Sequence, residues 1–471
     1  MKRTIPKIVF PAIALLLCGV STPSRAQSCI TAATIREAES CLKTAPARML
    51  QKLDPNHTYS LPELIDLAES DSPEGRIAWA QAKARMEQAG VARASYLPIV
   101  AFAAQGSDLR AIVPFPKPIA PRGYVTVEEP IFNAQLELEY TLLDFARGAR
   151  LESSRAVQLA SALRFGRTQQ QIAYNVSAQY YREQLEAGRL AAAQTILQTA
   201  ETLEQSAQSQ FDNGRATLPD LQNAQAGVAE AQFALASAEG AVKKAKLALT
   251  EVVGVEPTTE IDLPPQAVSV TSDALSPQVE TLIQEAWKSR PDLLARAQDL
   301  KRAQEAVNIA HAAYRPTVRL STAGGQTATW PTADFGALGY ANVSTWSAAV
   351  SLKWELFNGA RRHEVAAALA ENRASAEEQR AAQDRVTHEV WQSYVDYQTA
   401  AEQQRAAQSY LAASQTSYDS SLDAFRYGVR SLVDVVQAQR QLAQARLAVV
   451  DANAQLTLSA SALTFATGAQ Q

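Results

Sequence analysis

The sequence predicts a fold that combines long α-helices with a membrane β-barrel, built from a helix–strand–strand–helix unit that occurs twice. Three observations predict it. The second half of the 471 residues repeats the first half in register. Each half contains a stretch of strict apolar–polar alternation, which is typical of strands. Each half also contains a helical stretch of about 70 residues, followed by one with a heptad repeat.

The start of the chain has the pattern of a secretory signal peptide, which we place at residues 1–26. Basic residues precede an apolar run at residues 8–20, and small residues fit cleavage after Ala26. Lipoprotein processing at Cys18 is the alternative, although Leu17 stands where that processing needs a small residue. Plain cleavage therefore fits the residues better.

The composition of the exported chain excludes some functional classes. Cleavage would remove four of the 44 basic residues and none of the 48 acidic residues, which takes the net charge from −4 to −8. An acidic exported protein is a poor nucleic-acid binder. Cys29 and Cys41 remain, and an oxidising compartment allows them a disulfide, with two free thiols as the alternative. No other apolar run reaches about 18 residues, so a membrane span would have to be a β-barrel.

The predicted elements of the two units follow the same order. After an N-terminal segment at 27–72, the first repeat at 73–254 comprises a helix at 73–96, strands at about 98–110 and 127–145, a long helix at 146–213 and a last helix at 217–253. After a linker at 255–290, the second repeat at 291–471 comprises a helix at 291–314, strands at about 316–330 and 344–358, a long helix at 359–427 and a last helix at 431–466.

Residues with special conformations recur at matching places, which chance similarity of Ala-rich helices would not produce. The matching pairs include Tyr96 and Tyr314, Pro98 and Pro316, Phe211 and Phe425, Gly214 and Gly428, Asp220 and Asp434, and Gly254 and Gly468. The last helices also share a heptad, whose main row is Leu221, Val228, Leu235, Val242 and Leu249 in the first unit. A repeat of this length predicts helices packed side by side, although an ordinary soluble coiled coil would show it too.

The lengths of the helices favour a tube. At 1.5 Å per residue each long helix spans about 100 Å, nearly the length of the other two helices of its unit placed end to end. A wall of continuous helices alternating with stacked pairs would fit these lengths. Residues 54–72 and 255–290 would then lie outside the tube near its middle.

The second strand of each unit has one apolar and one polar face. The apolar rows are Phe132, Ala134, Leu136, Leu138, Tyr140 and Leu142, and Trp346, Ala348, Val350, Leu352, Trp354 and Leu356. Both rows are long enough for a membrane-crossing strand of about 9–11 residues, and a half-buried soluble strand is the alternative. Four strands cannot close a barrel, so two or three chains must contribute. Three chains give about twelve strands and room for water.

The chain resembles the TolC family of outer-membrane efflux proteins over nearly all of its mature length. The resemblance rests on the duplication, on the Tyr-x-Pro before each first strand, and on residues 357–362 after the last strand. It rests further on the turns at residues 211–220 and 425–434. It implies a homotrimer whose twelve-stranded barrel, in the outer membrane of a Gram-negative bacterium, continues into a helical tunnel in the periplasm.

The resemblance also implies partners and a function. A passive duct of this family needs no cofactor, docks a periplasmic adaptor protein and serves an inner-membrane pump of the RND or ABC type. Expulsion of small molecules is the leading expectation, and export of polypeptides by a type I secretion system is the alternative. Two other classes are a periplasmic structural coiled coil and the adaptor itself, which would show one helical hairpin between β-rich halves.

By the same resemblance, the two turns form a closed periplasmic tip. Asp434 would ring its constriction, and Arg430 would bind Asp220 of the neighbouring coiled coil and hold the tip shut. The chain departs from the family pattern at Gln437, where a second acid can stand, and at Phe425, where a tyrosine can stand. The residues that would meet the adaptor are Asn213, Gly214, Arg215, Leu218, Tyr427, Gly428, Val429 and Leu432.

The tip residues also have simpler roles. An acid in the first helical turn, such as Asp220 or Asp434, interacts favourably with the helix dipole. Glycine at such a turn supplies the left-handed backbone that ends a helix. The four histidines have no metal-ligand spacing, and the sequence contains no nucleophile elbow or phosphate loop. The sequence therefore predicts neither an enzyme nor a metal site.

Overall fold

The computed structural model describes residues 34–43, 57–118, 120–264, 278–427 and 429–469. In chain order its elements are α1 (Ile35–Lys43), α2 (Leu61–Asp71), α3 (Pro73–Ala94), β1 (Ile99–Pro114), β2 (Tyr124–Leu143), α4 (Ala146–Asp212), α5 (Leu218–Val253), α6 (Val279–Ser289), α7 (Pro291–Ala312), β3 (Thr317–Thr329), β4 (Thr332–Ala333), β5 (Gly336–Ala337), β6 (Ala341–Lys353), α8 (Arg361–Arg426) and α9 (Leu432–Thr467). The predicted signal peptide, Cys29, Gly428 and the Cys41 side chain lie outside the described residues.

The two units match in length and in the chemistry of their helix ends. The helices α3 and α7 have 22 residues each, α5 and α9 have 36 each, and α4 and α8 have 67 and 66. Both α5 and α9 begin with a capping box and end at a left-handed glycine, Gly254 with φ 85° and Gly468 with φ 77°. The duplicated helix–strand–strand–helix unit is therefore confirmed.

The helices pack in an order that joins the two units. The long helix α4 packs against α3 and α5 of its own unit and against α7 and α9 of the second unit. The other long helix, α8, packs against α7 and α9. Outside these, α2 covers α4 and α5, and α6 covers α8 and α9. No helix among the described residues is long and apolar enough to cross a membrane.

The four long strands form one antiparallel sheet in the order β1–β2–β3–β6, and β4 and β5 add a short ribbon beside β2. Phe102 pairs with Leu136 on one side, and Leu320 pairs with Val350 on the other. The apolar face is open to the surroundings, with Trp346 83% exposed. The outer edges of β1 and β6 have no strand partner within the described part of the chain.

The predicted strand at 344–358 extends five residues beyond the C-terminal end of β6 in the structure. β6 stops at Lys353. Beyond it, side chains rather than the amides of a neighbouring strand donate to the nearby backbone carbonyls. The Trp354 indole donates to the Tyr314 carbonyl oxygen at 3.0 Å. The Arg361 guanidinium donates to the backbone and side chain of Glu355 at 2.6 and 2.8 Å. These bonds turn the chain from the sheet into α8.

Candidate functional site

The two turns between long and last helices lie over one apolar core. This core, which we call the tip core, receives side chains from all four helices of the two hairpins. Its members include Leu203, Ala207, Leu221, Ala224, Tyr418, Phe425, Leu432, Val435, Ala438 and Leu442. A shared core means that the α4–α5 hairpin and the α8–α9 hairpin pack together next to their turns.

The turns end the long helices in similar ways. Gly214 has φ 68°, which favours glycine over any residue with a side chain. The next amide, that of Arg215, donates to the Gln210 carbonyl oxygen at 2.8 Å. In the second turn the Val429 amide donates to the Ala424 carbonyl oxygen at 2.8 Å. Both turns therefore satisfy carbonyls that the helix leaves without partners.

The acids predicted for the gate are held by helix caps. The Asp220 carboxylate accepts from the Thr217 hydroxyl at 2.6 Å, and the Asp434 carboxylate accepts from the Ser431 hydroxyl at 2.8 Å. These hydroxyls, followed by the backbone amides of the same two residues, lower the pKa of both carboxyl groups. Both acids therefore stay charged at neutral pH, which the cap role and the gate role both need.

The predicted latch is not formed within one chain. The Arg430 guanidinium donates to the Ser421 hydroxyl at 3.2 Å, and no ion pair in the described residues joins Arg430 to Asp220. Its charge lies near Asp434 instead and helps to lower the pKa of that carboxyl group. Asp434 and Gln437 are exposed, whereas Phe425 is 7% exposed and packs into the tip core. A latch to Asp220 would have to involve another copy.

The predicted adaptor contacts divide into exposed and buried residues. Tyr427, Val429 and Leu218 are 86%, 78% and 52% exposed, and Asn213 and Arg215 are exposed as well. Large apolar side chains that stand free at a tip are suited to protein contacts. Leu432 is different, because it is 4% exposed and packs into the tip core.

Two ion pairs that join the hairpins could not be predicted from the sequence. Arg440 of α9 lies 3.2 Å from Glu230 of α5, and Arg189 of α4 lies 2.8 Å from Asp451 of α9. The two members of each pair lie far apart in the sequence. Only the way in which the helices of the two hairpins align could have indicated these pairs. Because these side chains are 39% to 67% exposed, each pair contributes about 0–1 kcal/mol to stability.

A match to a known protein family reflects the duplication of the chain. The family model for outer membrane efflux proteins matches residues 64–255 and 282–469, one match for each unit. The chain belongs to this family. The resemblance predicted from the sequence is confirmed, and with it the position in the Gram-negative outer membrane with an extension into the periplasm. Members of this family are passive channels rather than enzymes.

Two relatives that match this chain in sequence are distant. CyaE of Bordetella pertussis is 31% identical over 325 residues, which cover 66% of this chain and 63% of CyaE. The outer membrane efflux protein BepC of Brucella suis is 26% identical, and the match covers 56% of each chain. The chain thus spans under two thirds of either relative. The solved outer-membrane channel OprN is 20% identical, with a TM-score of 0.73 over 91% of this chain and 97% of OprN, which shows the fold.

Proposed function

We propose that three copies of this chain close a barrel and a helical tube, and that this trimer is a passive exit duct for small molecules. An inner-membrane pump would deliver them through a periplasmic adaptor. The observation that carries the proposal is the open sheet, since among the residues that the structure describes the outer edges of β1 and β6 have no strand partner and an apolar face is exposed. Neighbouring copies would pair these edges and lipid would cover that face.

The opposite face of the sheet supports a water-filled bore. Asn133 donates to Gln135 at 3.3 Å, and Gln135 donates to Glu137 at 2.6 Å, along one polar row of β2. Beside that row Arg319 lies 2.6 Å from Glu139. Twelve strands would leave a bore wider than these side chains can fill, whereas about eight strands would be plugged by them. A polar and charged row is stable there only if water reaches it.

Conductance and phenotype test the proposal separately. The purified full-length chain should form trimers in detergent and conduct ions in planar bilayers; a monomer without conductance would reject the duct. Deleting the gene should increase the sensitivity of the cell to amphipathic toxic compounds. Unchanged sensitivity together with loss of a secreted polypeptide would assign the duct to type I secretion instead.

Neutralising Asp434 should weaken the block of the duct by multivalent cations added on the periplasmic side. Three Asp434 carboxylates near the axis would attract such cations, and their loss should raise the blocking concentration about tenfold. The measurement is the blocking concentration for Asp434→Asn in planar bilayers.

Asp220→Asn is the matched control for this experiment. It removes the matching capping acid from α5 at a similar structural cost, and it also removes the predicted partner of Arg430. Block that weakens equally in both variants, or in neither, would place the constriction away from Asp434.

A further inference from the structure

An open groove runs along α9 between the two long helices α4 and α8. Its volume is about 820 Å³, within the range of small-molecule sites, which is about 300–1,000 Å³. Asp396 and Tyr410 are the first and last residues that α8 contributes to it, about 21 Å apart along that helix. Leu185 and Arg189 form its α4 side. The groove lies within one chain, so it does not depend on a contact between copies.

The groove lies on the face of the helices opposite to α2 and α6. At about 100° per residue, Leu185 lies about 180° around α4 from Val176, which packs with α2 in one core. Tyr410 lies about 160° around α8 from Val390, which packs with α6. In the proposed trimer α2 and α6 have to lie outside the tube, because six such helices, each about 10 Å wide, would fill the bore. The groove therefore faces the tunnel.

The floor of the groove is apolar because it consists largely of alanines. Ala400, Ala406 and Ala407 come from α8, and Ala448 and Ala452 come from α9. Ala400, Ala407 and Ala452 are buried where the two helices meet. Their small side chains leave the groove deep enough for a flat aromatic or aliphatic body.

One carboxylate of the groove has no cation. Arg189, the one cation among the described residues that line the groove, lies 2.8 Å from Asp451 and 2.9 Å from Glu186. Asp396 is exposed, and no hydrogen bond or ion pair joins its carboxylate to another of the described residues. An exposed carboxylate beside an apolar floor is suited to an organic cation, and the Tyr410 ring offers a second surface that attracts cations.

We propose that this groove binds small organic cations with an apolar body, and that such cations are among the molecules that pass through the duct. The Asp396 carboxylate holds the charged group, and the alanine floor covers the apolar body. Three copies place three of these carboxylates around one tunnel and raise the local concentration of cations there. The inference rests on the proposed function and names a substrate class for it.

Dye binding tests the groove in the full-length protein, kept in a nonionic detergent. Rhodamine 6G, an organic cation with an aromatic body, should bind saturably when fluorescence anisotropy is measured. Asp396→Asn should weaken this binding about tenfold, because one opposite charge beside the bound cation is lost. Asp396→Glu keeps the charge and should bind the dye nearly as the parent does. Fluorescein, which shares the ring system but is an anion, should not bind.

Asp419→Asn is the matched control for this experiment. Asp419 is also an exposed acid of α8, but it lies about 140° around the helix from Asp396 and about 35 Å further along it. The control variant removes the same charge from the same helix outside the groove. It should bind rhodamine 6G as the parent does.

The outcomes separate the groove from the duct. Equal dye affinity in the parent and Asp396→Asn, or equal weakening in both aspartate variants, would overturn the inference; if the protein still conducts ions, the proposed duct stands. Fluorescein bound as tightly as rhodamine 6G would also overturn it, because the charge of the ligand would not matter. Dye binding that depends on Asp396 in a protein that does not conduct would reject the duct, and with it the passage of cations, while the groove remains a binding site.

Discussion

Replacing Gly325 by alanine should strongly reduce the amount of assembled protein in the outer membrane, whereas the same change at Gly324 should leave it nearly unchanged. Gly325 of β3 pairs with Gln135 of β2, and a Cβ added to it would lie 2.5 Å from the Gln135 Cα atom. It would also meet the Ala134 carbonyl oxygen. Both are backbone atoms, so no side-chain rotation relieves the clash.

The neighbouring glycine provides the control for this prediction. A Cβ added to Gly324 has the Trp346 Cβ atom as its nearest neighbour, at 4.0 Å, which is an ordinary contact. Neither glycine has a positive φ, so backbone conformation does not distinguish them. Forcing a Cβ against backbone costs about 1–3 kcal/mol or more, and every copy in a trimer would carry it.

The effect is measured as the amount of heat-resistant trimer in outer-membrane fractions. We expect Gly325→Ala to lose most of the trimer band and Gly324→Ala to keep it. A normal amount of trimer for Gly325→Ala would mean that β2 and β3 lie further apart in the assembled protein than in the single chain.

The sequence could predict the duplicated fold because each unit carries its own local signals. The Tyr-x-Pro before each first strand, the period-two rows and the heptads depend on residues close together in the chain. The close approach at Gly325 could not be predicted, since it depends on a strand of the other unit. A glycine in a strand indicates a bulge or a close approach without showing which neighbour causes it.

The candidate site shows the same division between local and distant contacts. The caps at Asp220 and Asp434 follow from a hydroxyl residue three positions earlier, which is a sequence pattern. The contact of Arg430 with Ser421 and the burial of Leu432 and Phe425 depend on how two hairpins meet. Periodicity within one helix fixes which face is apolar but not which helix covers it.

A buried arginine joins α7, α8 and α9 of the second unit near the end of α9. The Arg290 side chain, at the junction of α6 and α7, is 3% exposed. Its guanidinium binds both Asp292 oxygens at 3.0 and 2.7 Å and one Glu389 oxygen at 2.7 Å. It also donates to the Ala466 carbonyl oxygen at 3.1 Å. Burial alone would lower the pKa of Arg290, but its bonds to Asp292 and Glu389 raise the pKa overall.

A second arginine reaches the same place from α4. Arg167 donates to the Phe465 carbonyl oxygen at 3.1 Å, and its guanidinium lies 3.7 Å from the centroid of the Phe465 ring. Burial, and to a lesser extent the charge of Arg290, lowers the pKa of Arg167 to about 10. Both arginines stay charged at neutral pH and hold the last carbonyls of α9, where a helix dipole favours cations.

Arg290→Ala should therefore lower the free energy of unfolding by about 2–3 kcal/mol, since it removes the cation nearest to two carboxylates and leaves a carbonyl without its donor. This is below the usual cost of breaking a fully buried pair, because Asp292 and Glu389 are 29% and 43% exposed and water reaches them. Arg296→Ala is the control. Arg296 lies on α7, which Arg290 precedes, but it is 43% exposed and lies 3.4 and 3.7 Å from its acids, so about 0–1 kcal/mol is expected.

The measurement is loss of helical circular dichroism on heating the detergent-solubilised protein. Arg290→Ala should melt clearly below the parent, and Arg296→Ala close to it. If both variants melt like the parent, the buried cluster contributes no net stability, as is known for some buried ion pairs. Normal trimers with lower melting for Arg290→Ala would show that the cluster stabilises each chain independently of the contacts between copies.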